Sequence, residues 1–154
     1  MKTVVIYDSF FGNTEKIARE IAESIGTTEI YKASDISAEI LHDAKALIIG
    51  SPTRAFTATK DIMILLKSLK KGSLANVKIG IFDTRACLTD INSKFLNFMV
   101  KLFGYATDSM EKVISKKGGI PYISSQGFFV KESEGPLKEG ELTRATKWAS
   151  KILL

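Results

Sequence analysis

Short apolar runs rich in β-branched residues alternate along the chain with longer segments whose apolar positions recur every three or four residues. The first run, Val4-Val5-Ile6-Tyr7-Asp8, is apolar without alternation, the pattern of a strand covered on both faces. A polar loop follows, Ser9-Phe10-Phe11-Gly12-Asn13-Thr14, and then Ile17, Ile21 and Ile25 at helical spacing, with Ala18 and Ala22 alongside and Gly26 as a stop. Thr27 to Tyr31 reads as a short edge strand, and Ser37 to His42 as a short helix with His42 on its solvated end. Lys45 to Ser51 is a second buried strand. Thr57 to Leu69 is an amphipathic helix presenting Ile62, Leu65, Leu66 and Leu69, ended by Gly72. Val77 to Asp83 is a further strand, with Gly80 expected to allow close packing.

Helix signals then run from Asp90 to Lys117, too long for one element. Phe95, Met99, Leu102 and Phe103 form one face, Gly104 breaks the run, and Asp108-x-x-Glu111 reads as a restart cap before Val113 and Ile114. After Gly118-Gly119, Ile120 to Ser124 is the expected last core strand, with Pro121 tolerable at its start. Gln126 to Lys131 reads as an added extended segment, and Gly135-Pro136 as a turn. Leu137 to Leu154 is a closing helix expected to bury Leu142, Ala145, Trp148, Ala149 and Ile152. Strands alternating with helices, without repeats or linkers, predict a parallel sheet with helices on both faces. Such a sheet opens a crevice at the C-terminal ends of its strands, where the strand order reverses.

Composition narrows the class. A chain of 154 residues, 45% hydrophobic and 25% charged, is expected to fold as one domain over residues 1–154. No run reaches the ~18 apolar residues of a membrane span. The chain enters a strand directly, without the charged and apolar regions of a signal peptide, and Cys87 has no partner for an internal disulfide. The cytoplasm is the expected location. The net charge of +5 raises the question of nucleic acid. The excess is diffuse, however, and its densest pieces, Lys67 to Lys71 and Lys116-Lys117, fall near helix C-termini, where cations are favourable anyway. With no recognition motif present, nucleic acid is not an expected partner. The single His and single Cys supply no metal-ligand spacing, and no nucleophile elbow exists for Ser-His-Asp chemistry. A phosphate-receiving receiver domain needs an Asp after the third strand, where this chain has Gly50-Ser51.

The first loop is the centre of the candidate chemistry. A helix N-terminus leaves backbone N–H groups unpaired and carries partial positive charge, so a strand–loop–helix with Ser9, Gly12, Asn13 and Thr14 suits a phosphate. The same residues also serve ordinary helix capping. Their order resembles the first FMN-phosphate loop of the flavodoxin family: a hydroxyl residue, any residue, a hydroxyl residue, Gly, any residue, Thr. Ser9, Gly12, Asn13 and Thr14 match, with Phe10 at a free position. Phe11 departs, removing one side-chain hydroxyl from the phosphate and leaving more to the backbone. The second loop, Gly50-Ser51-Pro52-Thr53-Arg54-Ala55-Phe56-Thr57, resembles the segment that lines the isoalloxazine in that family. Its Pro-Thr-Arg form is similar to that of FMN-dependent quinone reductases. The resemblance implies that Thr53 hydrogen-bonds the flavin's polar edge and that Phe56 shields a ring face, core packing being the other role open to Phe56. Arg54, otherwise a solvated loop residue, is placed near the flavin N1–C2=O edge, where a cation stabilises the reduced anion. The third loop, Asp83-Thr84-Arg85-Ala86-Cys87, lies where the family contacts the pyrimidine side and often supplies a stacking aromatic, which is missing here between Phe82 and Phe95. Cys87 carries little weight as a redox group, since a lone Cys is more often a small packed residue.

Gly127-Phe128-Phe129-Val130-Lys131, Glu134-Gly135-Pro136-Leu137 and Gly140-Glu141-Leu142 resemble the C-terminal part of small flavodoxin-like proteins, so the resemblance spans essentially the whole chain. It implies an α/β fold, a three-layer, doubly wound, five-stranded parallel sheet in the order 2-1-3-4-5, with FMN as cofactor. It implies an electron carrier working with redox protein partners. The alternative is an FMN-dependent NAD(P)H:quinone-type oxidoreductase with a small-molecule acceptor. A module of the same fold that has lost FMN is a third reading. Small size favours the carrier; the Pro-Thr-Arg loop and the open ring face favour the enzyme. The sequence leaves the oligomeric state open.

Overall fold

The computed structural model describes residues 1–154. Five strands pair in one sheet, β1 (Thr3–Tyr7), β2 (Thr28–Lys32), β3 (Ala46–Pro52), β4 (Lys78–Ala86) and β5 (Gln126–Val130). Every pairing is parallel and the order is β2-β1-β3-β4-β5. Helices α1 (Asn13–Ile25) and α6 (Glu141–Ser150) cover one face; α2 (Lys60–Ser68) and α5 (Ala106–Lys116) cover the other. Alternate strand residues feed two separate cores, which explains the unbroken apolar runs. Val4, Ile6, Leu47, Ile49, Ile79 and Ile81 meet α2 and α5, while Val5, Tyr7, Ala46, Ile48 and Phe82 meet α1 and α6.

Close packing fixes the end of β3. A Cβ on Gly50 would stand 2.0 Å from the Phe82 ring, so only glycine lets that ring cross the strand. The ring continues into an edge-to-face triad with Phe128 (5.9 Å) and Trp148 (6.1 Å), and the Trp148 indole N–H donates to the Ser124 carbonyl at 2.7 Å. Gly80 packs as the sequence suggests, with Ile123 and Trp148 against the place of its missing side chain.

Four sequence expectations change. Ile120 to Ser124 is not the fifth strand: Pro121 makes a single bridge to Ile79, and the β4 edge is paired instead by Gln126–Val130. Proline has no N–H to extend a ladder. Asp83 to Ala86 continue β4 instead of forming a loop, paired with β3 as far as Thr84 and with β5 as far as Ala86. In the closing helix, Leu142 is exposed and Glu141 is buried in its place. Asp108 restarts the helix from inside it, accepting from the Tyr105 N–H at 2.8 Å. The stretch between β4 and α5 forms a short helix, α3 (Leu88–Ile91), and α4 (Lys94–Phe103), which has no buried residue, so its apolar face is not part of either core.

Candidate functional site

The chain winds to opposite sides of β1 and β3, so the C-terminal ends of these two central strands and of β4 form a crevice. At β1, Asp8 accepts from the Ser9 N–H (2.8 Å) and Ser9 Oγ accepts from the Gly12 N–H (3.0 Å). Gly12 sits at φ 91, a left-handed turn open to glycine, and starts α1. The Ser9 hydroxyl proton stays free to donate. The N–H groups of Phe10, Phe11, Asn13, Thr14 and Glu15 have no acceptor within the protein. This is a cluster of donors at a positive helix end; of the two carboxylates beside it, Asp8 is taken up by the Ser9 N–H and Glu15 turns back to Tyr7 and Arg19. Arg19 holds the Glu15 carboxyl below its usual range despite some desolvation.

Two long-range bonds pin this loop. Asn13 Nδ2 donates to the Glu134 carbonyl at 3.0 Å, and the Thr14 and Thr84 hydroxyls meet at 2.8 Å, joining the loop to β4. The second loop is held by paired Arg54–Thr57 backbone bonds, with Ala55 and Phe56 both at positive φ. The Arg54 guanidinium lies over the rings of Phe10 (5.2 Å) and Phe11 (5.5 Å), across the crevice mouth, and has no carboxylate partner.

Beneath lies a buried ion pair. Asp83 and Arg85, two apart in β4, share a face, and the guanidinium grips the carboxylate at 2.6 and 2.7 Å. Thr53 Oγ1 (3.2 Å) and the Thr107 N–H at the start of α5 (3.3 Å) also donate to Asp83. Burial pushes the Asp83 carboxyl up, while Arg85 and these donors work against that shift. Arg85 also stacks on the Tyr105 ring at 3.5 Å.

Of the residues nominated from sequence, Ser9, Phe10, Phe11, Asn13, Thr14, Pro52, Thr53, Arg54, Thr84, Arg85 and Ala86 line one cleft of about 160 Å³. Gly12 shapes its turn from below, and Asp83 lies under Arg85. Ala55 and Phe56 face away, Phe56 stacking near Phe103 at 5.9 Å. Cys87 is outside the lining, beside the Thr89 hydroxyl, whose hydrogen bond draws its thiol down. Val130 and Ser133 complete the cleft and were not nominated; the polar run before Gly135-Pro136, reaching Asn13, was the signal for Ser133. A larger cavity of about 630 Å³ lies at the other end of the sheet, beside exposed His42 and Asp43, where no loop of unpaired donors converges.

No protein-family model and no curated protein sequence matches the chain. Solved structures do. Oxidised flavodoxin 2 from Bacillus cereus superposes with a TM-score of 0.76 at 18% identity, covering 99% of this chain and 98% of that one. A flavodoxin from the domain Archaea gives 0.69 at 17% identity, with both chains fully covered. The chain has the flavodoxin fold. A flavodoxin, WrbA-like protein from Agrobacterium tumefaciens shares it as well, with a TM-score of 0.64 at 17% identity over 99% of this chain and 97% of that one. Within the flavodoxin fold the cleft occupies the carboxyl ends of β1, β3 and β4 on either side of the order reversal.

Proposed function

We propose that the chain, acting as one flavodoxin-like domain, binds FMN in this cleft and carries electrons between redox partners. The observation that carries this reading is the set of five acceptor-free N–H groups at Phe10, Phe11, Asn13, Thr14 and Glu15, with the Ser9 hydroxyl beside them. They suit the phosphate of a nucleotide, and Phe11 in place of a hydroxyl is compensated by the backbone. The cleft is narrower than the roughly 300–1,000 Å³ of small-molecule sites, because Arg54 lies across it. Arg54 is an exposed side chain, so turning it outward widens the cleft at little cost. FMN supplies electron acceptance and return in one-electron or two-electron steps.

The chain's own groups have distinct tasks. The first loop holds the phosphate, Thr53 and the β4 backbone through Ala86 line the far wall, and Asp83 neutralises Arg85. Arg54 is then the unneutralised cation at the mouth and favours negative charge gained within it. Arg54→Ala lowers the potential of full reduction, measured by dye-equilibrated titration; an unchanged potential removes Arg54 from this role. An oxidoreductase taking hydride from NAD(P)H is the second reading, favoured by a cleft whose mouth is crossed by one exposed side chain.

The test is the visible spectrum after incubation with FMN and desalting, followed by stepwise reduction. No retained flavin overturns both readings. Retained flavin reduced in two resolved one-electron steps supports the carrier. Direct reduction by NADH or NADPH in a single two-electron step supports the enzyme.

A further inference from the structure

Helix α4 is the one helix of eight or more residues with no buried side chain, although seven of its ten residues are apolar. Ser93 caps its start, accepting from the Leu96 N–H at 3.1 Å, and Gly104 at φ 79 ends it. Helical spacing sorts its side chains into three strips. Leu96, Met99 and Val100 are half-buried against the body. Phe95, Phe98 and Leu102 form the outward strip, exposed at 72%, 61% and 62%. Lys94, Asn97 and Lys101 run along its edge. A ten-residue helix is marginal in water by itself, and an apolar strip facing outward calls for a cover.

The surroundings say what kind. Next to α4 a hollow of about 420 Å³ has Ala55, Phe56 and Phe103 among its apolar lining and Lys67, Lys112 and Lys116 as its only charged residues. None of these lysines, nor Lys94 or Lys101, forms an ion pair. Of the nearby carboxylates, Asp90 is paired with Lys138, while Asp108 accepts from the Tyr105 N–H and leaves the five lysines in excess.

We propose that α4 and its flanking lysines dock the protein onto an anionic lipid bilayer, with Phe95, Phe98 and Leu102 seated at the headgroup–acyl boundary. Phenylalanine and leucine on one strip with lysines along the edge is the composition of a helix lying in a membrane interface. None of the five cations is paired with a carboxylate and they outnumber the unpaired acid beside them, Asp108, so an anionic surface is complementary. A second copy of this chain would bring the same lysines face to face. The outward strip exposes on the order of 400 Å² by ordinary side-chain areas, about half of what one partner of a stable protein interface buries. It is also a convex ridge, to which lipid conforms and a protein must supply a matching groove. Phe103, at the end of α4, stacks near Phe56 in the loop that carries Arg54, so the docked helix lies beside the second loop. The docking does not depend on FMN.

The test is co-sedimentation of the full chain, with and without FMN, with vesicles of phosphatidylcholine alone or of equal parts phosphatidylcholine and phosphatidylglycerol. Wild type is expected to sediment with the anionic vesicles only, more weakly as salt rises. Phe98→Ser with Leu102→Ser weakens this about ten-fold or more. Lys94→Gln with Lys101→Gln weakens it about five-fold for each lysine. Circular dichroism stays unchanged in both variants, because the altered side chains are exposed. Absence of binding to anionic vesicles overturns the proposal. So does equal binding by the Phe98→Ser/Leu102→Ser variant, which would mean diffuse attraction of a basic protein. A wild-type dimer abolished by that variant assigns the face to a second copy, and binding to polyglutamate without binding to vesicles assigns it to an acidic polypeptide; either result overturns the proposal.

Discussion

Asp83 is the residue on which the floor of the cleft depends. It is fully buried and receives four donor atoms, two of them from a guanidinium that is itself mostly buried. Removing one member of such a pair leaves the other charge without compensation in a poorly solvated place. Asp83→Ala is therefore expected to lower unfolding stability by about 3–5 kcal/mol in urea titrations. The sequence showed Asp83 and Arg85 as neighbours of a ligand, but not as partners of each other. An Asp-Thr-Arg run has the polarity of a loop, and only the strand period, which puts residues two apart on one face, turns it into an ion pair. Arg54 shows the reverse. Its place in a Pro-Thr-Arg loop was legible, while its position over Phe10 and Phe11 depends on two chain segments meeting.

At the scale of elements, α6 is anchored by a buried acid at its first turn. Glu141 accepts from the Phe129 N–H of β5 at 2.6 Å and from Arg144, which also donates to the Gly127 carbonyl at 2.6 Å. Desolvation works against its ionisation, yet Arg144 and the Phe129 N–H outweigh it and hold the carboxyl below its ordinary range. A carboxyl depressed in the fold contributes stability above its unfolded pKa and loses it as pH falls through the folded value. Acid is thus expected to loosen the β5–α6 junction below about pH 5. In Glu141→Gln the urea midpoint falls at neutral pH and the gap between neutral and acid midpoints narrows. Sequence periodicity found α1, α2, α5 and four of the strands because each has a core face repeated at one period. It misplaced β5, because Ile120-Pro121-Tyr122-Ile123 looks more strand-like than Gln126-Gly127 while Pro121 cannot donate to a ladder. It also read Leu142 as core, since apolar spacing gives no sign that a buried glutamate has taken the inner position.

For the whole molecule, the cleft is made of four chain segments far apart in sequence, residues 9–14, 52–54, 84–86 and 130–133, that the strand order brings side by side. The Thr14–Thr84 and Asn13–Glu134 bonds tie the first segment to β4 and to the segment after β5, and the Thr53 N–H ties the second to the Thr84 carbonyl. A ligand held by all four stabilises the entire fold. FMN at one hundred times its Kd is expected to raise Tm by about 5–10 °C in a thermal melt, and no shift would mean that the cleft does not take it. The first two loops were legible as a pair because each carries its own motif; Val130 and Ser133 lie in segments with no such ligand motif, and the parallel pairing of β5 with β4 brings them to the cleft. The edge-to-face triad has a use of its own. Trp148 is the only tryptophan, and Phe82 and Phe128 hold it in dry, fixed surroundings. A folded chain of this length has a radius of gyration of about 15 Å, so any flavin in the cleft is within resonance-energy reach of that indole. The protein thus carries its own optical probe: blue-shifted Trp148 emission is expected, and it should dim on addition of FMN if flavin fills the cleft.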